Sequence, residues 1–263
     1  MPSYCSLAAL KTYLNVSTST DDDLIQTLLD ASSSRIDSFT GRTYHALADT
    51  VRYFDPSRDV DGYELYFDQD ISHVTSVVNG DAEDVTTSLY FNPRNETPYY
   101  KTGFKESMSS YWTYTTDPMD AIAVTGRWAY LHKARITALS RATNVVTATV
   151  HAPHVSVGDV VMVVDVADTT FNGTFTVLSN TGTAITWAQT AANDTDTTGK
   201  LLFAPPDIVM ACKRLASWLY RQKDTQQGDS DRPILAGDGS IIMPSTLPQD
   251  VTTLLKPYIR VVR

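Results

Sequence analysis

The sequence has little cysteine, no long apolar run and no excess of positive charge. Only Cys5 and Cys212 occur among 263 residues, too few for a disulfide framework. They lie far apart in the chain, each within a predicted helix, and read as small buried thiols rather than as a disulfide. The longest apolar stretches, such as VVMVVDV at 160–166, fall well short of the roughly 20 residues that a membrane-spanning helix needs. The opening MPSYCSLAAL lacks both the basic start and the apolar core of an export signal. No membrane partner is therefore expected. The net charge is −9, and acidic side chains crowd the first half: Asp21, Asp22, Asp23, Asp55, Asp59, Asp61, Asp68, Asp70, Asp81, Glu83 and Asp84. Such a surface repels a phosphate backbone and argues against tight nucleic-acid binding. A Gly-rich phosphate loop, a Gly-x-Ser-x-Gly elbow and a His-Glu-x-x-His helix are all missing. The expectation is a protein that is not an enzyme and takes no cofactor.

What is present begins with helical periodicity. Ser6 suits the cap of a short helix carrying Leu7, Leu10 and Leu14, interrupted at Asn15. A second helix follows, with Thr20 as its predicted cap and Asp21 to Asp23 where the positive end of the helix dipole favours carboxylates. Leu24, Ile25, Leu28, Leu29, Ile36 and Phe39 recur at helical spacing, and Gly41 ends the run. Much later, Pro205 and Pro206 open a third helix with Ile208, Cys212, Leu215 and Leu219 in one stripe. Its natural partner is the helix from Leu24 to Phe39.

Between these helices the period shortens. Segments such as TVRYF, YELYF, HVTSVV, SLYF and AIAVTGRWAY read as strands up to Tyr130, and 98–118 as a long loop or irregular hairpin. Six further strand candidates fall at 135–139, 145–150, 159–164, 174–178, 184–187 and 200–203, with turn residues between them. The fold class expected is α+β: a helical core domain with short β segments, plus an inserted small all-β domain, sandwich or barrel-like. The core domain would take residues 1–133 and 204–263, and the insertion 134–203.

The last segment is a polar linker after Lys223, then ILAGDGSIIMP with a hairpin turn at Asp238-Gly239, then a helix bounded by Pro248 and Pro257. That helix is shorter than the roughly 12 to 15 residues needed for marginal stability alone. Its apolar residues need a partner. Ile241, Ile242, Leu247, Val251, Leu254, Leu255, Tyr258, Ile259 and the neighbouring Arg260 are the candidate docking residues of a tail spanning 224–263.

Other constellations are weaker. His151 and His154 have a spacing that suits two metal ligands, but a third ligand is missing and surface histidines are the better reading. The triplet Asp21 to Asp23 is explained by its helix start, so no metal site is expected. Tyr99, Tyr100, Tyr111, Trp112 and Tyr114 suit either a sugar- or partner-binding surface or ordinary packing.

In order along the chain, LAALKTYLNV, DDDLIQTLLDASSSRIDSFTGRTY, IAVTGRWAY, PPDIVMACKRLASWLYRQKD and LPQDVTTLLKPYIRVVR resemble the head-to-tail connector, or adaptor, proteins of tailed double-stranded DNA bacteriophages. The resemblance covers both ends and most of the first half; the 134–203 insertion departs from the family's compact form. It implies a structural virion protein at the neck, assembled in the host cytoplasm and forming a ring, typically a dodecamer, between portal and tail. The implied partners are the portal protein, adjacent copies, tail or stopper proteins, and duplex DNA passing through the lumen without specific binding. The C-terminal segment is then the portal-docking element. The alternative is a virion accessory protein that binds carbohydrate or a fibre through the inserted β domain.

Overall fold

The computed structural model describes residues 3–108, 110–152, 154–222, 234–235, 241–242 and 247–260. The chain forms two compact units: its two ends together, 1–41 with 206–263, and the intervening 42–205. The β segments of the first half therefore group with residues 134–203 and not with the helices.

The unit made by the chain ends is helical. In α1 (Leu7–Leu14) the Ser6 hydroxyl accepts the Ala9 amide at 3.2 Å, and Asn15 closes the helix in the left-handed region. In α2 (Asp22–Thr40) the cap position is Asp21 rather than Thr20, and Asp22 and Asp23 occupy the first turn. Gly41, at φ 65°, ends α2 in a conformation that costs glycine least. Pro206 opens α3 (Pro206–Gln222). The last helix, α4 (Gln249–Leu255), runs into a single 3-10 turn over Lys256–Tyr258 that contains Pro257. Helix α3 packs against α1, α2 and α4, and α2 also touches α1 and α4. Ile25, Leu29 and Ile36 of α2 are fully buried, as are Ile208, Ala211, Cys212, Leu215 and Ala216 of α3 and Val251 and Leu255 of α4.

Polar contacts fix how these helices meet. The Tyr220 hydroxyl donates to Asp21 at 2.6 Å, Arg214 pairs with Asp250 at 2.8 Å, and the Tyr258 hydroxyl donates to Asp207 at 3.2 Å. The Arg260 amide donates to the Thr40 carbonyl at 2.8 Å, satisfying an acceptor that the end of α2 would otherwise leave open. Asp37, on the last turns of α2, accepts the Tyr4 hydroxyl. Burial raises its carboxyl to about 6, against the opposing effect of that hydrogen bond.

Residues 42–205 are built from strands. Strands β1 (Thr50–Phe54), β7 (Ile122–Arg127) and β4 (His73–Val78) form one antiparallel sheet with β7 in the centre. Strands β2 (Val60–Asp61), β3 (Glu64–Ile71), β6 (Tyr99–Phe104) and β5 (Leu89–Asn92) form a second. Phe54, Val77, Ile122 and Val124 of the first sheet share one core with Leu65, Phe67, Leu89 and Phe104 of the second, and Trp128 lies among them. Alternation explains the sharing: along β7 every second side chain, from Ile122, turns inward.

The remaining strands close on themselves. They are β8 (His132–Ala142), β9 (Val145–Val150), β10 (Val160–Val164), β11 (Gly173–Asn180), β12 (Ala184–Ala188) and β14 (Lys200–Phe203). Their order is β8-β14-β10-β11-β12-β9 and back to β8, every pair antiparallel. This is a six-stranded barrel, and closure removes its free edges. The short β13 (Asp194–Asp196) adds to the end of β8 at Leu139–Arg141. Trp187, Phe171, Ile136, Val146, Val161 and Leu201 fill the interior. Thr143 and Asn144 join β8 to β9 with φ 54° and 62°, the positive values that a tight hairpin turn of matching twist demands.

These observations correct the expected fold class. Strand accounts for 35% of the described residues and helix for 26%; the protein is mostly β with a closed barrel, not a helical core domain carrying an insertion. The helical periodicity was the clearer signal because its apolar stripes are long. The strands between Arg42 and Tyr130 bury side chains in short, imperfect alternation, which understates how much core they build.

Two outcomes follow from the helical unit. Leu255→Ala removes a fully buried side chain and is expected to cost about 2–4 kcal/mol, whereas Leu254→Ala, half-buried, costs under about 1 kcal/mol, both read by urea unfolding. Asp37 has a folded-state pKa above its unfolded value, so its contribution is most favourable below about pH 4 and is lost as pH rises through about 6. Asp37→Asn should flatten stability between those values; an unchanged pH profile would contradict the burial argument.

Candidate functional site

The candidate docking residues separate into two sets. Leu247, Val251, Leu255 and Tyr258 are buried within the chain's own helical unit, so the expectation that this helix lacks a partner of its own is corrected: α2 and α3 supply one. The reason is geometric, since the apolar spacing of 247–258 matches a groove made by two helices distant in sequence. Ile259 is 41% exposed, while Leu254 and Arg260 are half-buried. These three are the part of the set left facing outward. Ile241 and Ile242 form a two-residue strand, β16, paired with β15 (Ile234–Leu235); their side chains, and Arg263, lie outside the described residues.

The aromatic candidates also divide. Tyr99 packs on Phe91, and Trp112 packs on Phe104 while its indole N–H donates to the Tyr63 carbonyl at 2.9 Å. Tyr100 is 45% exposed and its hydroxyl interacts with Arg42. Tyr111 and Tyr114 are exposed, Tyr111 lying 5.8 Å from the exposed ring of Tyr63. Sequence reasoning missed Tyr63 and Tyr66. The signal for Tyr66 was the alternation of β3, where Leu65 and Phe67 point inward and Tyr66 and Asp68 outward. Beside it the Glu64 carboxylate accepts Lys101, Tyr66 and Tyr90 at 2.6, 3.0 and 3.2 Å, and the Lys101 hydrogen bond foremost holds Glu64 below the usual carboxylate range. These contacts make a polar aromatic face on the two-sheet module, not on the barrel.

His151 and His154 are exposed, and among the described residues no group of three His, Cys, Asp or Glu side chains is arranged to hold a metal ion. Asp22 of the acidic triplet is paired with Lys11 at 2.6 Å. Most of the net charge of −9 falls on residues 42–205.

The barrel and the two-sheet module are joined by polar contacts. Asp165, just after β10, takes His73 Nε2 of β4 at 2.9 Å on one oxygen and Lys200 Nζ at 2.7 Å on the other. The His73 hydrogen bond, with Lys200 adding to it, holds the Asp165 carboxyl well below its usual range despite burial. Arg127 of β7 pairs with Asp49 at 2.6 Å and reaches Thr174 at 3.2 Å, and Thr174 donates to the Leu47 carbonyl at 2.6 Å. An apolar cluster of Ala129, Leu131, Met162, Val164 and Leu202, with Ala46 packed against it, draws on both parts.

No known family model matches the chain, and no curated protein matches it. Among solved structures, it is similar to a chain from the neck of an empty GTA particle computed with C6 symmetry, at a TM-score of 0.39 and 11% identity, over 99% of this chain and 91% of that one.

The Asp165 bridge gives a measurable outcome. A carboxyl held low in the folded state adds stability that is fully present above its unfolded value near pH 4 and is lost only as pH falls through the lower folded value. Asp165 is 40% exposed in its side chain, so after solvent screening Asp165→Asn should cost about 1 kcal/mol at neutral pH. The cost should shrink steadily as pH falls below about 4; a cost that stays constant down to the acid limit of folding would show that shape rather than charge holds the joint.

Proposed function

We propose that this chain is a structural virion protein of the neck of a tailed phage, assembling as a ring between portal and tail and leaving a conduit for DNA. The observation that carries the reading is the helical unit. The segments that resemble connector proteins at the two ends of the sequence pack together as α1 to α4, so four of the five resembling segments fall on one folded body, while IAVTGRWAY lies in the other. The charge supports it as well. An acidic body in a conduit repels the duplex and lets it slide, because cationic contacts would hold it in place. No catalytic role is assigned, and the chain acts through its surfaces.

The docking element of this reading is narrower than the whole tail. Val251, Leu255 and Tyr258 hold the segment to its own unit, while Leu254, Ile259 and Arg260 face the portal or a neighbouring copy. A scaffolded patch of this kind loses little conformational freedom on binding, which favours affinity.

The test is native mass measurement of the chain alone and mixed with its portal. A defined multimeric complex with the portal is expected. Leu254→Asp combined with Ile259→Asp should weaken that complex at least tenfold, about 1.4 kcal/mol, and shift the melting temperature of the isolated chain by less than about 2 °C. Failure to associate with the portal would overturn the neck reading, and glycan binding by the barrel in its place would favour the accessory role.

A further inference from the structure

The only two cysteines of the sequence meet in the helical unit although nearly the whole chain separates them. Cys212 lies on α3 with no exposure, and Cys5, just before α1, is 1% exposed. Cys5 is thus outside the helix in which the sequence pattern puts it. Its thiol hydrogen-bonds to the Cys212 sulfur, and the amides of Tyr4 and Cys5 lie against the same atom. Ser33 Oγ of α2 is 3.5 Å from Cys212 Sγ and accepts the Tyr4 amide at 3.0 Å. Four polar groups from two segments therefore converge on one buried sulfur.

We propose that Cys5 and Cys212 are a cross-linking site: a small-molecule disulfide converts the pair into a Cys5–Cys212 disulfide that ties the start of the chain to α3. Three observations support it. The sulfurs are in hydrogen-bonding contact, and Ser33 Oγ touches both the Tyr4 amide at 3.0 Å and Cys212 Sγ at 3.5 Å, so the segment carrying Cys5 already runs close to Cys212. The hydrogen bonds, that from the Cys5 thiol first, draw the Cys212 thiol below its ordinary value against the opposing effect of burial, and those from Ser33 and from the Tyr4 and Cys5 amides remain to favour the attacking thiolate once Cys5 is a mixed disulfide. And Cys5 lies outside the helices, in the stretch before α1, where opening breaks few helix hydrogen bonds and admits a reagent.

The chemistry balances with glutathione disulfide as oxidant. When the segment opens, the Cys5 thiolate attacks one sulfur of the oxidant, forming a mixed disulfide and releasing one glutathione thiolate. On closure the Cys212 thiolate attacks the Cys5 sulfur, the Cys5–Cys212 bond forms, and the second glutathione thiolate leaves. The two protons given up by the protein thiols end on the two glutathiones, whose sulfurs have taken the two electrons.

The experiment uses the full chain, purified reduced and then held under native conditions with glutathione disulfide at about pH 8. Free thiols should fall from two per chain to none, and the intact mass should drop by two hydrogens with no glutathione retained. A reducible peptide pair containing residues 5 and 212 should appear. In a scan without reductant the oxidised chain should melt higher by roughly 5–15 °C, and Cys5→Ser should abolish both the link and the rise. Stable glutathione adducts on both residues, cross-linked dimers, or thiols that stay free while the denatured chain reacts would each overturn the proposal.

Discussion

The seam between α2 and α3 is the contact on which the helical unit depends. Each helix buries one apolar face, Ile25, Leu29 and Ile36 on one and Ile208, Leu215 and Ala216 on the other, and neither face is shielded from water by its own helix. The eight residues of α1 and seven of α4 are too short to hold helical structure alone. They persist because the seam offers them a surface, and hydrogen bonds then fix their positions: Tyr220 to Asp21, Arg214 to Asp250, and the Arg260 amide to the end of α2. The chain must leave this unit at Gly41 and return at Pro206, so everything between is free to become a separate body.

That intervening body solves a different problem. Short strands expose backbone groups at their edges, and a sheet left open invites pairing with other chains. The barrel answers by closing six strands into a ring, with Trp187 and Phe171 at the centre of the packing. The neighbouring module instead stacks two open sheets over a shared aromatic core of Phe54, Phe67, Phe104 and Trp128. The two are bolted together by Asp165 with His73, by Arg127 with Thr174 and by Thr174 with the Leu47 carbonyl. A surface for partners is then what remains after these internal demands are met. On the two-sheet module it is Tyr63, Tyr66 and Tyr111; on the helical unit it is Ile259 with its neighbours.

The candidate docking tail illustrates why a list of apolar residues overestimates a site. Nine positions in 241–260 read as a patch seeking a partner, because a sequence records that a residue is apolar and not which surface receives it. Val251 and Leu255 share the i, i+4 face of α4 that turns toward α2 and α3. Leu254, one residue from Leu255, sits at the edge of that face and is only half-buried. The distinction is a rotation of 100° about the helix axis, which is legible once the neighbouring helices are placed and not before. The same holds for the aromatic loop, where Trp112 is spent on packing against Phe104 and Tyr111 is not.

Local signals were sufficient for much of the architecture. The cap at Ser6, the glycine stop at Gly41, the proline start of α3 and the six strand candidates from 135 to 203 all coincide with observed elements, because each depends on backbone chemistry within a few residues. The sequence by itself also determined the acidic balance and the amphipathic stripes that oblige helices to pair. Only the tertiary structure decided that the strands after Arg42 build a body of their own, that six of the later strands close into a barrel, and that Cys5 meets Cys212. Those outcomes depend on contacts between residues tens to hundreds of positions apart, and no local pattern encodes which distant surface will fill a given apolar face.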